Sequence, residues 1–254
     1  MAQERFAEAR AKITRSLVHY EGLRSAIESY EKHHGASVEK IVEGEQNLYR
    51  VRISPEPTTG ISLIIGDFVH NLRSALDYAT CALMAVTDPQ LPQSRIQFPF
   101  GRGGQILNHQ ERKNLGCSRA AIGVLEGARR LGGPALILLN LMSNQDKHRL
   151  LVASVIRQQK AEIQIDFSKS IANIIASPAL DTHMWNRSLQ DGDVLAIDTD
   201  ANPGVGLMFS FVFGLTLDGR DDAIPVNDLH EIGRIAEKVV QHLDAAASRL
   251  GGSA

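Results

Sequence analysis

Cysteine is nearly absent from this 254-residue chain. Cys81 and Cys117 stand alone with no Cys-x-x-Cys pair, so neither a disulfide framework nor a cysteine zinc site is expected. Long apolar runs are missing too. The longest, "GGPALILLNLM" from Gly132 to Met142, falls well short of the ~20 residues a membrane-spanning helix needs and reads as a buried helix. The charged start "MAQERFAEAR" has no apolar segment behind it, so no secretory signal is expected and the cytoplasm is the expected location. Net charge is only −2, which disfavours indiscriminate binding to polyanions. Two catalytic signatures are also absent. "GRGG" at 101–104 lacks the Gly-Lys-Ser/Thr ending of a phosphate-binding loop, and no Gly-x-Ser-x-Gly nucleophile elbow occurs.

What is present is an ordinary globular composition, 43% apolar and 22% charged, in a chain long enough to bury a sizeable core. Its charge is unevenly spread. Residues 101–160 carry ten Lys or Arg against three acids, and residues 161–228 carry eleven acids against three basic residues. Arg112, Lys113, Arg119, Arg129, Arg130, Lys147, Arg149 and Arg157 would line a basic face in one reading. In the other, the two blocks neutralise each other across the fold.

Periodicity sets the architecture. Over residues 3–33, Phe6, Ile13, Leu17, Tyr20, Leu23, Ile27 and Tyr30 recur three, four or seven apart, which predicts a long amphipathic helix stopped by Gly35. Residues 37–53 alternate around Gly44 as a hairpin does. Over 60–87, Ile61, Ile65, Phe68, Leu72, Ala75, Ala79, Ala82 and Val86 make a heptad-like seam that ends before Asp88-Pro89. A short strand is expected at "RIQF" (95–98), then helices at 118–130 and from Pro134, together spanning 118–146. The runs "LLVASVIR", "AEIQIDFS", "SIANIIAS", "DVLAIDT" and "VGLMFSFVFGLTL" predict four or five antiparallel strands between 150 and 218. A last helix at 226–250 buries Leu229, Ile232, Ile235, Val239, His242 and Leu243. The expected fold is a single α+β domain, a helical bundle with a mostly antiparallel sheet inserted before the C-terminal helix. The seams would bury either their own bundle or a partner chain, so a homodimer is a further expectation.

Two stretches carry chemistry. "GDFVHNLRSALDY" (66–78) sets Asp67, His70, Ser74 and Asp77 on one helical stripe, with Arg73 four residues before Asp77. "NQDKHR" (144–149) repeats carboxylate, imidazole and cation, with Asn144 and His148 one turn apart. Following directly on "PALILLNLM", it lies close to the core. Bland explanations exist for both. Arg73–Asp77 is an ordinary helix pair worth a few tenths of a kcal/mol when exposed. Lys147, His148 and Arg149 would suit a helix C-terminus, or Ser143–Asp146 a capping box. A buried salt-bridged network of Asp77 and Asp146 with Arg73, Lys147 or Arg149 would likewise be structural. Asp67, His70, Asp77, Asp146 and His148 make a conceivable metal set, but the bundle motif Glu-x-x-His is missing and three cations compete. Neither a metal nor any other cofactor is expected.

The two stretches, with "FPF" between them, resemble a group of bacterial proteins without an assigned activity that carry an "HNLRSALDH" helix and an "N-x-DKHR" motif. The similarity covers chiefly residues 60–155, with Tyr78 where a histidine is common and Gln145 where an apolar residue is common. A more distant resemblance is to the helical HEPN superfamily, whose bundles often act as metal-independent ribonucleases. That family's Arg, four to six residues, then His is not met at His148, and "RGGQILNH" (102–109) meets it only from within a glycine loop. The resemblance implies RNA or another phosphate-containing ligand as partner. It also implies His148 as general acid or base and Arg73 or Arg149 stabilising phosphate charge. The candidate catalytic set is therefore His148, His70, Arg73 and Asn144, with Asp67, Asp77, Asp146, Lys147 and Arg149 as binding residues.

Overall fold

A computed structural model describes residues 2–53, 58–101, 106–149, 151–165, 180–182, 189–198, 205–218 and 223–252. The chain is α+β and divides into two compact units. One comprises Met1–Arg24, Ser62–Leu151 and Asn227–Ala254, the other Ser25–Ile61 and Val152–Val226.

The first unit is built from four long helices, α1 (Ala2–His34) as far as Arg24, α2 (Thr59–Thr87) from Ser62, α4 (Arg119–Asp146) and α5 (Val226–Gly251) from Asn227, with a short α3 (His109–Leu115). Along α1 the buried residues are Phe6, Ala9, Ile13, Ser16, Tyr20, Leu23 and Ile27. That three-four alternation lands on Ser16 rather than Leu17, which is 40% exposed. Ser16 tolerates the interior because its hydroxyl donates to the Ile13 carbonyl at 2.7 Å. Tyr20 packs on Phe68 of α2 and His230 of α5, with ring centroids 6.2 and 5.3 Å apart. Gly233 faces the Phe68 ring, where a Cβ would make ordinary contact at 3.5 Å, and Gly251 faces Val86 more tightly, at 3.2 Å. Pairing 68 with 233 and 86 with 251 means that α2 and α5 run parallel. Arg10–Asp244 at 2.7 Å and Tyr20–His230 make α1 antiparallel to α5. Arg73–Asn140 joins α2 to α4, and His242 Nε2 lies 3.3 Å from the Val124 carbonyl, closing the ring of helices.

The α4 segment is two helices joined at Gly133, whose φ of 46° and ψ of −136° interrupt the turn before Pro134. Its N-cap Ser118 is held by Asp88, whose carboxylate accepts from the Ser118 N–H at 2.8 Å and hydroxyl at 2.9 Å. The segment expected as the strand "RIQF" is instead a 3₁₀ turn, Gln93–Arg95, followed by extended chain. Arg95 closes the 3₁₀ turn, and the Phe98 N–H donates to the Asp77 side chain at 2.8 Å rather than to a neighbouring strand. Of the α1 and α2 seam residues, all but Leu17, Tyr30 and Val86 are buried within the chain itself.

The second unit holds two antiparallel sheets. Strands β1 (Ser37–Glu43) and β2 (Gln46–Arg52) form the expected hairpin, with Gly44 at φ 63° first of two loop residues. The hairpin continues through β5 (Val194–Asp198) to β4 (Leu180–Thr182), in the order β1-β2-β5-β4. The second sheet pairs β3 (Val152–Ile165) with β6 (Val205–Thr216), and β6 with β7 (Ile224–Pro225). Thus β3 is one long strand where two runs were expected, its register from Val152↔Thr216 to Ile165↔Val205 broken by two bulges. The run "SIANIIAS" lies outside the described residues. Among the described residues no helix is long and apolar enough to cross a membrane.

Candidate functional site

Packing divides the ionisable stripe of α2. Toward its C-terminal half, Arg73 and Asp77 are largely covered, with side chains 16% and 25% exposed. Arg73 Nη1 donates to Asn140 Oδ1 of α4 at 3.0 Å, its Nε stands 3.8 Å from Asp77, and its guanidinium lies 4.2 Å from the Phe100 ring centroid. Phe100 meets Phe98 edge-on at 4.9 Å. The Asp77 carboxylate thus captures the Phe98 backbone while Arg73 supports Phe100, so "FPF" is clasped onto α2, whose Arg73 is itself tied to Asn140 of α4. Such cation–π and aromatic contacts add roughly 0.5–2 kcal/mol each. Burial pushes the Asp77 pKa up, opposed by the Phe98 N–H, Arg73 and Lys147. Burial pulls Arg73 down, opposed by Asp77.

Toward its N-terminal half the stripe is open. Asp67 is 66% exposed with His19 Nδ1 of α1 at 4.0 Å, His70 is exposed, and Ser74 Oγ lies 3.5 Å from His70 Nε2. Here the two motifs meet. Gly66 lies under the end of α4, where a Cβ would be 2.7 Å from Asp146 Oδ1. Asp146 therefore sits against α2, beside Asp67 and His70. Its pKa is raised first by burial and further by Asp67, and lowered by His70. Lys147 caps α4, and the His148 and Arg149 N–H groups both donate to the Gln145 carbonyl at 3.0 Å. The helix-closing reading of Lys147, His148 and Arg149 is the observed one. Asn144, Lys147, His148 and Arg149 are all exposed around this end.

The expected basic face is partly spent inside the fold. Arg129 is 5% exposed and reaches Glu111 at 3.2 Å. Its guanidinium occupies the space a side chain at Gly101 would need, and Gly101 has a φ of 67° that favours glycine. Arg112 pairs with Glu126 at 2.9 Å, and Glu126 also accepts from the Leu107 N–H at 3.0 Å. Lys113, Arg119 and Arg130 are exposed, while the Arg157 side chain and Arg102 lie outside the described residues. Helix α3 was not expected, although its capping box Asn108–Glu111 is written as Asn-x-x-Glu. Among the described residues no three His, Cys, Asp or Glu side chains are grouped to hold a metal ion. No protein-family model, curated protein or solved structure matches the chain.

Proposed function

We propose that the surface formed by the outer face of α2 and the end of α4 binds RNA through its phosphates and processes it in the HEPN-like manner. The observation that supports this most is the approach of Asp146 to Gly66, which brings "NQDKHR" onto the open half of "GDFVHNLRSALDY". Exposed imidazoles at His70 and His148, the Asn144 amide and the cations Lys147 and Arg149 then belong to one end of one bundle.

In this reading Lys147 and Arg149 hold the phosphate, and Asn144 donates to a non-bridging oxygen. One imidazole takes the proton of the ribose 2′-hydroxyl as its oxygen bonds to phosphorus. The other gives a proton to the departing 5′-oxygen as the P–O bond breaks. Asp67 and Asp146 orient His70. Arg73 takes no phosphate in this account, being committed to Asn140, Phe100 and Asp77. It and Asp77 are positioning residues. The activity would reside in the cytoplasm.

The test incubates wild type and His148→Ala with labelled single-stranded RNA, and measures retention of the RNA across a salt series. Cleavage by wild type and its loss in the variant is the expected result. Equal background cleavage by both removes the ribonuclease reading, and absence of salt-dependent binding removes the phosphate reading as well. A second reading has its own support. The Arg73–Asp77–Phe98 geometry is that of a structural clasp, and if both assays are negative, a purely structural role for the whole cluster stands.

A further inference from the structure

Farther along α2 lies a separate feature, a cleft of about 550 Å³ lined by Glu4, Arg5, Glu8, Tyr78, Cys81, Gln93 and Ser94. Its volume is in the range of small-molecule sites. Three segments build it: the first turns of α1, one face of α2 and the 3₁₀ turn. The turn is pinned to α2 by the Cys81 thiol, 3.7 Å from the Ile96 carbonyl and 4.0 Å from that of Gln93. Burial raises the thiol pKa, with Arg5 pulling it down and Asp77 pushing it up. Arg5 thus lines the cleft within Coulombic reach of Cys81, and Cys81 is a neutral thiol there rather than another anion.

The lining is chemically mixed in a way that selects. A simple anion would face the Glu4 and Glu8 carboxylates, and a simple cation would face the Arg5 guanidinium. A molecule with both charges close together meets a partner for each. Tyr78, 41% exposed, adds a ring face, and Cys81 an uncharged wall, for an apolar substituent. Gln93 and Ser94 add amide and hydroxyl groups at the rim. We propose that this cleft binds a small zwitterion of the α-amino-acid type with an apolar or aromatic side chain, its carboxylate on Arg5, its ammonium on Glu8 and its side chain against Tyr78. This site does not depend on the RNA reading.

The experiment is calorimetric titration of the full chain with L-phenylalanine, phenethylamine and 3-phenylpropionate, the last two each lacking one charge. Saturable binding of phenylalanine is expected, with each single-charge analogue weaker by about tenfold or more, the equivalent of one lost charged contact. Arg5→Gln and Glu8→Gln should each weaken phenylalanine by a similar factor, with circular dichroism unchanged. Phenylalanine should also slow maleimide reaction at Cys81 while leaving Cys117 unaffected. The proposal is overturned if phenylalanine does not saturate, if all three ligands bind alike, or if neither variant alters its affinity. The analogue comparison uses wild type alone, so it decides the matter even where a variant misfolds.

Discussion

The two halves of the α2 stripe have nearly the same residues and opposite fates. Asp67 and His70 look outward, whereas Arg73 and Asp77, one to two turns later, are 16% and 25% exposed and bonded to other segments. The helix itself does not distinguish them. The difference is the chain at 96–100, whose Phe98 N–H and Phe100 ring cover the second half only. An ionisable residue on an amphipathic helix is therefore structural or available according to what crosses it. Here the inner pair is a clasp, and the outer pair borders the end of α4.

The largest effect expected from breaking this contrast is on stability. Asp77→Ala removes the acceptor of the Phe98 N–H and leaves Arg73 in a covered place without its carboxylate. A cost of about 2–4 kcal/mol follows, read as a fall in Tm of roughly 5 °C or more. Asp77→Asn keeps an acceptor for Phe98 and should cost about half as much. The exposed Asp67→Ala should change stability by less than about 0.5 kcal/mol. If chemical denaturation ranks Asp67→Ala beside Asp77→Ala, the two halves do not differ as described.

The next effect is on binding. Lys147→Ala with Arg149→Ala removes two exposed cations at the end of α4 and should leave Tm nearly unchanged. In filter-binding across salt, the slope of log affinity against log salt should shrink by about 1.4 for single-stranded RNA. An unchanged slope would put the RNA elsewhere on the chain. A smaller effect is expected from Gly66→Ala. The added methyl meets the Asp146 carboxylate, the movable end of a side chain, so stability should shift by no more than about 1 kcal/mol. RNA affinity should fall measurably, because the Asp146 carboxylate is turned away from its place beside His70. Unaltered affinity would show that contact between the motifs is incidental to binding.

Much of this organisation is legible in the sequence, and the illegible parts share a cause. The four long helices, the hairpin at Gly44 and the break at Gly133-Pro134 follow from local spacing and from residues that dictate backbone angles. Side-chain fates that depend on distant chain do not. Asp77 reads as one member of a 3-4-3 stripe, and only the return of Phe98, twenty-one residues on, makes it a half-buried acceptor. Arg129 reads as one of eight basic residues, and only Glu111 of α3 shows that it is internal. Leu17 against Ser16 is subtler. An apolar residue is the natural seam choice, but the run of three and four from Phe6 selects the serine, whose hydroxyl is satisfied by its own helix. The meeting of the two motifs at Gly66 depends on helix order and direction, which spacing within either helix does not encode.

The smallest expected effect separates the halves by the origin of their electrostatics. Asp77 and Asp146 both have raised pKa values in the folded chain. A carboxyl raised on folding binds its proton more tightly when folded than when unfolded. The stability it contributes is fully present below its ordinary value and is lost as pH rises through the folded value. Acidification toward the ordinary aspartate range should therefore give wild type a slight gain that Asp77→Asn and Asp146→Asn each lack, so the Tm gap to either variant shifts in favour of wild type as pH falls. Salt divides the two cases. For Asp77 the dominant cause is burial, and its opposing neighbours are an N–H and cations. For Asp146 burial is again the first cause, but it is joined by repulsion from the exposed Asp67, which outweighs the opposing His70, and exposed charges are screened within a Debye length of about 10 Å at 0.1 M salt. Added salt should thus reduce the pH dependence attributable to Asp146 and leave that of Asp77 nearly intact. An equal response in both variants would mean that the inner and outer halves of α2 sit in the same electrostatic environment, and the distinction between clasp and open surface would fail.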